Sequence, residues 1–238
     1  MGEIRHEQES QDPLEREGQF RERMEQLVPT FLEIREKMGA GEDVGFAYLP
    51  EVIEGGISSG SLPRISRKKN GRIECDSMGF FMSVSKKELP EEREKDIFVM
   101  PKDSARKKRV VSIADPFDEY YEGPKLLEAS DDVFVGLIAH ELAHSYNTKT
   151  KFPPEIRAVL EKRYKDNDPD SKYKWQYDTH DEEEMDVLAA LFGYKDQVVA
   201  RLDFMLDRMS RMAPHFRNKD YIIKGLEARK QQVLKYCP

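Results

Sequence analysis

The chain has 238 residues, enough for one domain, or two lobes around a cleft, with a substantial core and no need of covalent staples. Charged residues make up 36% of it, yet aliphatic and aromatic residues recur throughout, which sets aside a disordered chain except near the N-terminus. A formal net charge of -7 argues against nucleic-acid binding as the main business of the protein, because phosphate affinity needs a surplus of Lys and Arg.

The opening residues, MGEIRHEQESQDPLEREG, hold no apolar core of a signal peptide, and no later run reaches the roughly 18 apolar residues that span a bilayer. Two cysteines, Cys75 and Cys237, lie far apart with no paired spacing. The expectation is a soluble, cytoplasmic protein. From Phe20 to Met38 apolar residues fall at Phe20, Met24, Leu27, Phe31, Ile34 and Met38, the alternating steps of four and three that make one helix face. Pro29 interrupts this stripe and predicts a kink or two short helices, the second stopped by Gly39. Core packing is the expected use of the stripe.

Residues 1–40 thus form a charged helical segment ahead of a domain at 41–238, sheet-rich over 41–130 and helical over 131–238. In the sheet-rich part, GFAYLP, GRIECDSMGFFMSV, DIFVMP and RVVSIADPF are short β-branched or apolar runs between Gly, Pro, Asn and Lys clusters. Asn70-Gly71 predicts a tight turn between two antiparallel strands. The basic clusters RISRKKNGR and ARKKR read as solvated turns. Helices are predicted at 131–147, 153–165, 180–192, 195–212 and 218–236. Strands followed by helices specify an α+β fold rather than a parallel βαβ array.

The stretch VGLIAHELAHSYN places His140, Glu141 and His144 inside an apolar helix. Four residues advance a helix by about 400°, so the two imidazoles lie on one face about a turn apart and can converge on one ion. Zn²⁺ accepts neutral imidazole nitrogens, and Glu141 projects beside the place where a metal-activated water reacts. Buried ionisable groups of this kind need a metal or other partners. A metzincin would extend the motif with Gly at position 147 and His at 150; Asn147 and Thr150 stand there instead. Downstream, in THDEEEMDVLAALFG, Glu182 and Asp186 stand four apart on a helix ended by Gly193. The Thr179-x-x-Glu182 spacing is also a capping box, and Glu183 is the neighbouring alternative.

On His140-Glu141-x-x-His144 and Glu182-x-x-x-Asp186 the chain resembles the gluzincins, zinc peptidases that include thermolysin. Two groups are most similar: the CAAX prenyl proteases with HtpX, whose E-x-x-A-D differs here by Met185, and the soluble ImmA/IrrE peptidases. The resemblance spans about Val135 to Phe192. It implies a zincin-like fold, Glu182 as third zinc ligand, and Asp186 accepting the free N–H of His140. It also implies an oxyanion-stabilising residue from the C-terminal lobe, for which His215 is the first choice, with Tyr221, His180 and Tyr177 as competitors; the match to the family's His-Pro segment is loose, since Pro214-His215 reverses the order. The expected activity is hydrolysis of a peptide or unfolded protein substrate, with Glu141 as general base. The alternative is a non-catalytic zinc-containing interaction or regulatory module, which would have no need of Glu141. Two further expectations are that substrate pairs with a sheet edge formed by Arg109 to Asp115, and that Cys237 folds back on a mobile tail to cap the open zinc position, an inert terminal cysteine being the plainer use.

Overall fold

A computed structural model of the chain describes residues 13–48, 65–67, 73–75, 82–83, 96–102, 109–113, 125–144, 152–166, 179–211 and 219–238. The apolar stripe near the N-terminus is split into helices α1 (Pro13–Gln26) and α2 (Val28–Lys37). The break comes at Leu27, and Pro29 takes the second position of α2, where its missing N–H has no intrahelical partner to lose. Gly39, at φ 65°, ends α2: its N–H donates to Glu36 O at 2.9 Å and that of Ala40 to Arg35 O at 3.0 Å, the paired bonds of a Schellman stop. All six residues of the stripe are buried and belong to the same core as the later helices.

Six strands follow among the described residues: β1 (Val44–Ala47), β2 (Ile65–Arg67), β3 (Ile73–Cys75), β4 (Met82–Ser83), β5 (Ile97–Val99) and β6 (Arg109–Ser112). Four make a mixed sheet in the order β4-β6-β1-β5, with β1 and β6 parallel and both outer pairings antiparallel. Strands β2 and β3 pair separately and antiparallel, Arg67 opposite Ile73; the Asn70-Gly71 turn between them lies outside the described residues. Phe31 of α2 stacks on Phe46 of β1, centroids 4.8 Å apart, and so fixes the N-terminal helices to the sheet. At Gly45 a Cβ would stand 2.4 Å from Val99 O, so β5 approaches β1 more closely than a side chain permits.

One expectation is corrected here. Arg109 to Ser112 is not an edge: β6 runs between β4 and β1, and Val110, Val111, Ser112 and the following Ile113 are all buried. Consecutive buried residues without alternation, Ser112 included, mark a strand covered on both faces.

The helical half includes α3 (Asp131–Ala143), α4 (Pro154–Asp166), α5 (Thr179–Ala189), α6 (Lys195–Arg211) and α7 (Lys219–Tyr236), preceded by a 3-10 turn at Leu126–Glu128. A wide π turn, Ala190–Tyr194, joins α5 to α6, and Gly193 at φ 92° makes the bend. Helix α3 packs against α2, α5, α6 and β6 and is buried nearly all round from Val133 onward. The sequence thus folds as α+β, and no described helix is long and apolar enough to cross a membrane.

Candidate metal centre

Helix α3 supplies His140 and Glu141 from its last turn and His144 from its C-cap. Helix α5, packed alongside, supplies Glu182 and Asp186 from one face. The two imidazoles stand nearly perpendicular, 86° between their planes, with Nε2 atoms 3.3 Å apart. Glu182 lies between them: Oε2 is 3.0 Å from His140 Nε2 and Oε1 is 3.2 Å from His144 Nε2. One donor atom from each of the three residues lies within 4.8 Å of the others.

The ring of His140 is oriented through its other nitrogen. Nδ1 lies 2.7 Å from Asp186 Oδ1, and Asp186 is wholly buried. Burial by itself would raise the pKa of Asp186, but Arg201, Arg229 and His140 outweigh it and hold the carboxyl well below the usual range. An ionised carboxylate can only accept, so Nδ1–H donates to Asp186 and Nε2 is the nitrogen turned toward Glu182. Glu182 is likewise held ionised, His140, His144 and Arg229 outweighing the cost of burial. Nε2 of each imidazole and the Glu182 carboxylate therefore converge, and all three can serve as metal donors once the rings are neutral. The same field acts on His144: burial opposes a charge there, yet the Glu182 hydrogen bond and the Glu141 carboxylate prevail and its pKa is raised. The separations of 3.0–3.3 Å match the ~3.3 Å between ligands that sit ~2.0–2.1 Å from a tetrahedral zinc. Two imidazoles and a carboxylate at these spacings could hold a metal ion.

Glu141 is 4% exposed, and its Oε2 is buried without a hydrogen-bond partner. Burial raises its pKa, with the fields of His140 and His144 opposing and that of Glu182 adding to the rise. A carboxylate so placed gains little from the protein around it and retains affinity for a proton.

Glu182 and Glu183 separate cleanly in space. Glu183 turns away and accepts from Arg163 of α4 at 3.0 Å. His215 and Tyr177 lie outside the described residues, as does the side chain of His180. Tyr221 sits in the first turn of α7 and is 56% exposed. The expectation for Cys237 is corrected: it is buried directly after α7, its thiol donates to Val187 O at 3.6 Å, and it is not grouped with the three converging ligands. The terminal residues fail as a mobile cap because Tyr236 and Cys237 are themselves core residues.

Two residues with no role assigned from the sequence complete the cluster. Arg201 of α6 donates to Asp186 Oδ1, and Arg229 of α7 donates through Nε to Asp186 Oδ2 at 2.6 Å. The signal for Arg201 was present in the spacing: it sits on the apolar stripe of α6 with Val198, Leu202, Met205 and Met209, where an isolated charge demands a buried counter-ion. Arg229 stands in the same relation to Leu226, Val233 and Tyr236 of α7.

Comparison of the chain with protein-family models, with curated proteins and with solved structures finds no match.

Proposed function

We propose that the protein is a zinc-dependent metallopeptidase of gluzincin type with a zincin-like fold, its metal held by His140, His144 and Glu182. The observation that supports a catalytic rather than a structural centre is Glu141: a buried carboxylate whose Oε2 has no hydrogen-bond partner, set one residue after a ligand, serves no purpose in a closed site. Zinc held by these three residues would supply a Lewis acid able to acidify water and polarise a carbonyl oxygen. Glu141 accepts the proton of the attacking water and returns it to the leaving amine, a task helped by burial that keeps its proton affinity high. Asp186 holds His140 in the tautomer that presents Nε2. His144 and Glu182 are about a quarter and a third exposed, so the ligand cluster is open to solvent on the side where a peptide or unfolded protein substrate would enter. The cytoplasm is the location we assign, on the absence of paired cysteine spacing.

Metal analysis of the purified protein beside proteolysis of an unfolded protein tests this reading. The parent should carry about one zinc per chain and cleave; Glu141→Gln should keep the zinc and lose cleavage by at least ~100-fold. Zinc retained in full by a His140→Ala, His144→Ala double variant overturns the ligand set. Equal cleavage by parent and Glu141→Gln, or none by a zinc-loaded parent, favours the non-catalytic module.

A further inference from the structure

Beneath the ligand cluster, one guanidinium reaches two carboxylates. Arg229 Nε donates to Asp186 Oδ2 at 2.6 Å, and its Nη2 stands 3.4 Å from Glu182 Oε2. Those carboxylates sit four residues apart on α5, while Arg229 comes from α7 and its side chain is only 12% exposed. Asp186 already receives His140 and Arg201 on Oδ1; Arg229 alone, among the described residues, is bonded to Oδ2. Nη2 is buried and makes no hydrogen bond, so its ion pair with Glu182 is the polar contact that this group makes among the described residues.

We propose that Arg229 is a positioning residue of the metal centre, which fixes Glu182 and Asp186 relative to each other so that the third ligand and the partner of His140 are presented together. This inference rests on the zinc reading above. The physical basis is the shape of the side chain. A guanidinium offers donors in a rigid planar fork, so one group spans two carboxylates and limits the rotamers of both. Glu182 needs such a constraint, because it is the most exposed of the three ligands, and a long side chain free to rotate would lose conformational entropy on each binding event. Lysine delivers the same charge to a single point and cannot hold both carboxylates in register. Arg163 offers an internal control. It is a more deeply buried arginine on a carboxylate of the same helix, but that carboxylate is Glu183 rather than Glu182 or Asp186.

The test measures zinc affinity by chelator competition, and the absorption spectrum of the Co²⁺-substituted protein, for the parent, Arg229→Lys, Arg229→Met and Arg163→Lys. Arg229→Lys should weaken zinc binding by about 10-fold and Arg229→Met by up to about 100-fold, the range for loss of a group that orients a ligand. The Co²⁺ bands should shift in both. Arg163→Lys should leave affinity and spectrum at parental values. If Arg229→Met fails to fold, Arg229→Lys, which preserves the charge balance, decides. Parental affinity and spectrum in Arg229→Lys overturn the proposal, and so does an equal loss in Arg163→Lys, which would mean that any loosening of α5 has the same effect. A parent that binds no zinc removes the reading of the centre itself.

Discussion

Cys237 is 2% exposed, and burial pushes its thiol up to about 11, Lys195 opposing only in part. The folded protein therefore keeps this proton at pH values where the unfolded chain, with a thiol near ~8.5, has lost it. The stability the thiol contributes is complete below about pH 8.5 and declines as pH rises toward 11. In a Cys75→Ser background, alkylation at pH 9 should be slow in the native protein and fast in denaturant, and Cys237→Ala should flatten the fall in unfolding free energy over that window. Native alkylation at the unfolded rate would show that the thiol is accessible. Glu141 illustrates the same physics put to a different use, because its raised proton affinity lies beside the ligand cluster rather than among inert apolar neighbours.

Helices α3 and α6 meet at Gly136, one turn before His140. A Cβ there would stand 2.2 Å from Gln197 O and 3.1 Å from Arg201 Cβ, so backbone has to move to admit it. Gly136→Ala should destabilise the protein by about 1–3 kcal/mol, the usual cost of overpacking, and displace Arg201 from Asp186. Gly225 of α7 has nothing within 4 Å of the equivalent position, so Gly225→Ala should raise stability by about 0.4–1 kcal/mol through helix entropy. Urea denaturation of both variants checks the contrast; equal effects would mean that helix propensity, not the close approach, governs Gly136.

The candidate centre draws on four helices: His140, His144 and Glu182 from α3 and α5, and the arginines that contact Asp186 from α6 and α7. A metal that binds the folded arrangement and not the unfolded chain shifts the global equilibrium. Zinc at about 100 times its Kd should add ~2.7 kcal/mol, or about 5–10 °C in Tm for a chain of this length. Thermal unfolding with zinc and with a chelator measures the shift, and the His140→Ala, His144→Ala variant should show none. A shift of the same size in that variant would place the zinc elsewhere.

Much of this architecture is legible in residue order because its causes are local. The step-of-three-and-four stripe from Phe20 to Met38, its break before Pro29 and its stop at Gly39 follow from backbone geometry within a few residues. So does the placing of His140 and His144 on one helix face, since an i, i+4 spacing has one outcome in an α-helix. What depends on contacts between distant segments could not be read this way. Whether Glu182 or Glu183 faces the histidines is settled by the rotation of α5 against α3 and by Arg163 waiting on the other side. The position of β6 inside the sheet depends on β1 and β4 pairing with its two edges. Cys237 packs under α5 rather than reaching the ligands because α7 carries it into the core. The Asp186 cluster needed three further segments, since a buried carboxylate is stable only where His140, Arg201 and Arg229 arrive together, and spacing along one chain segment cannot say which partners will be within reach.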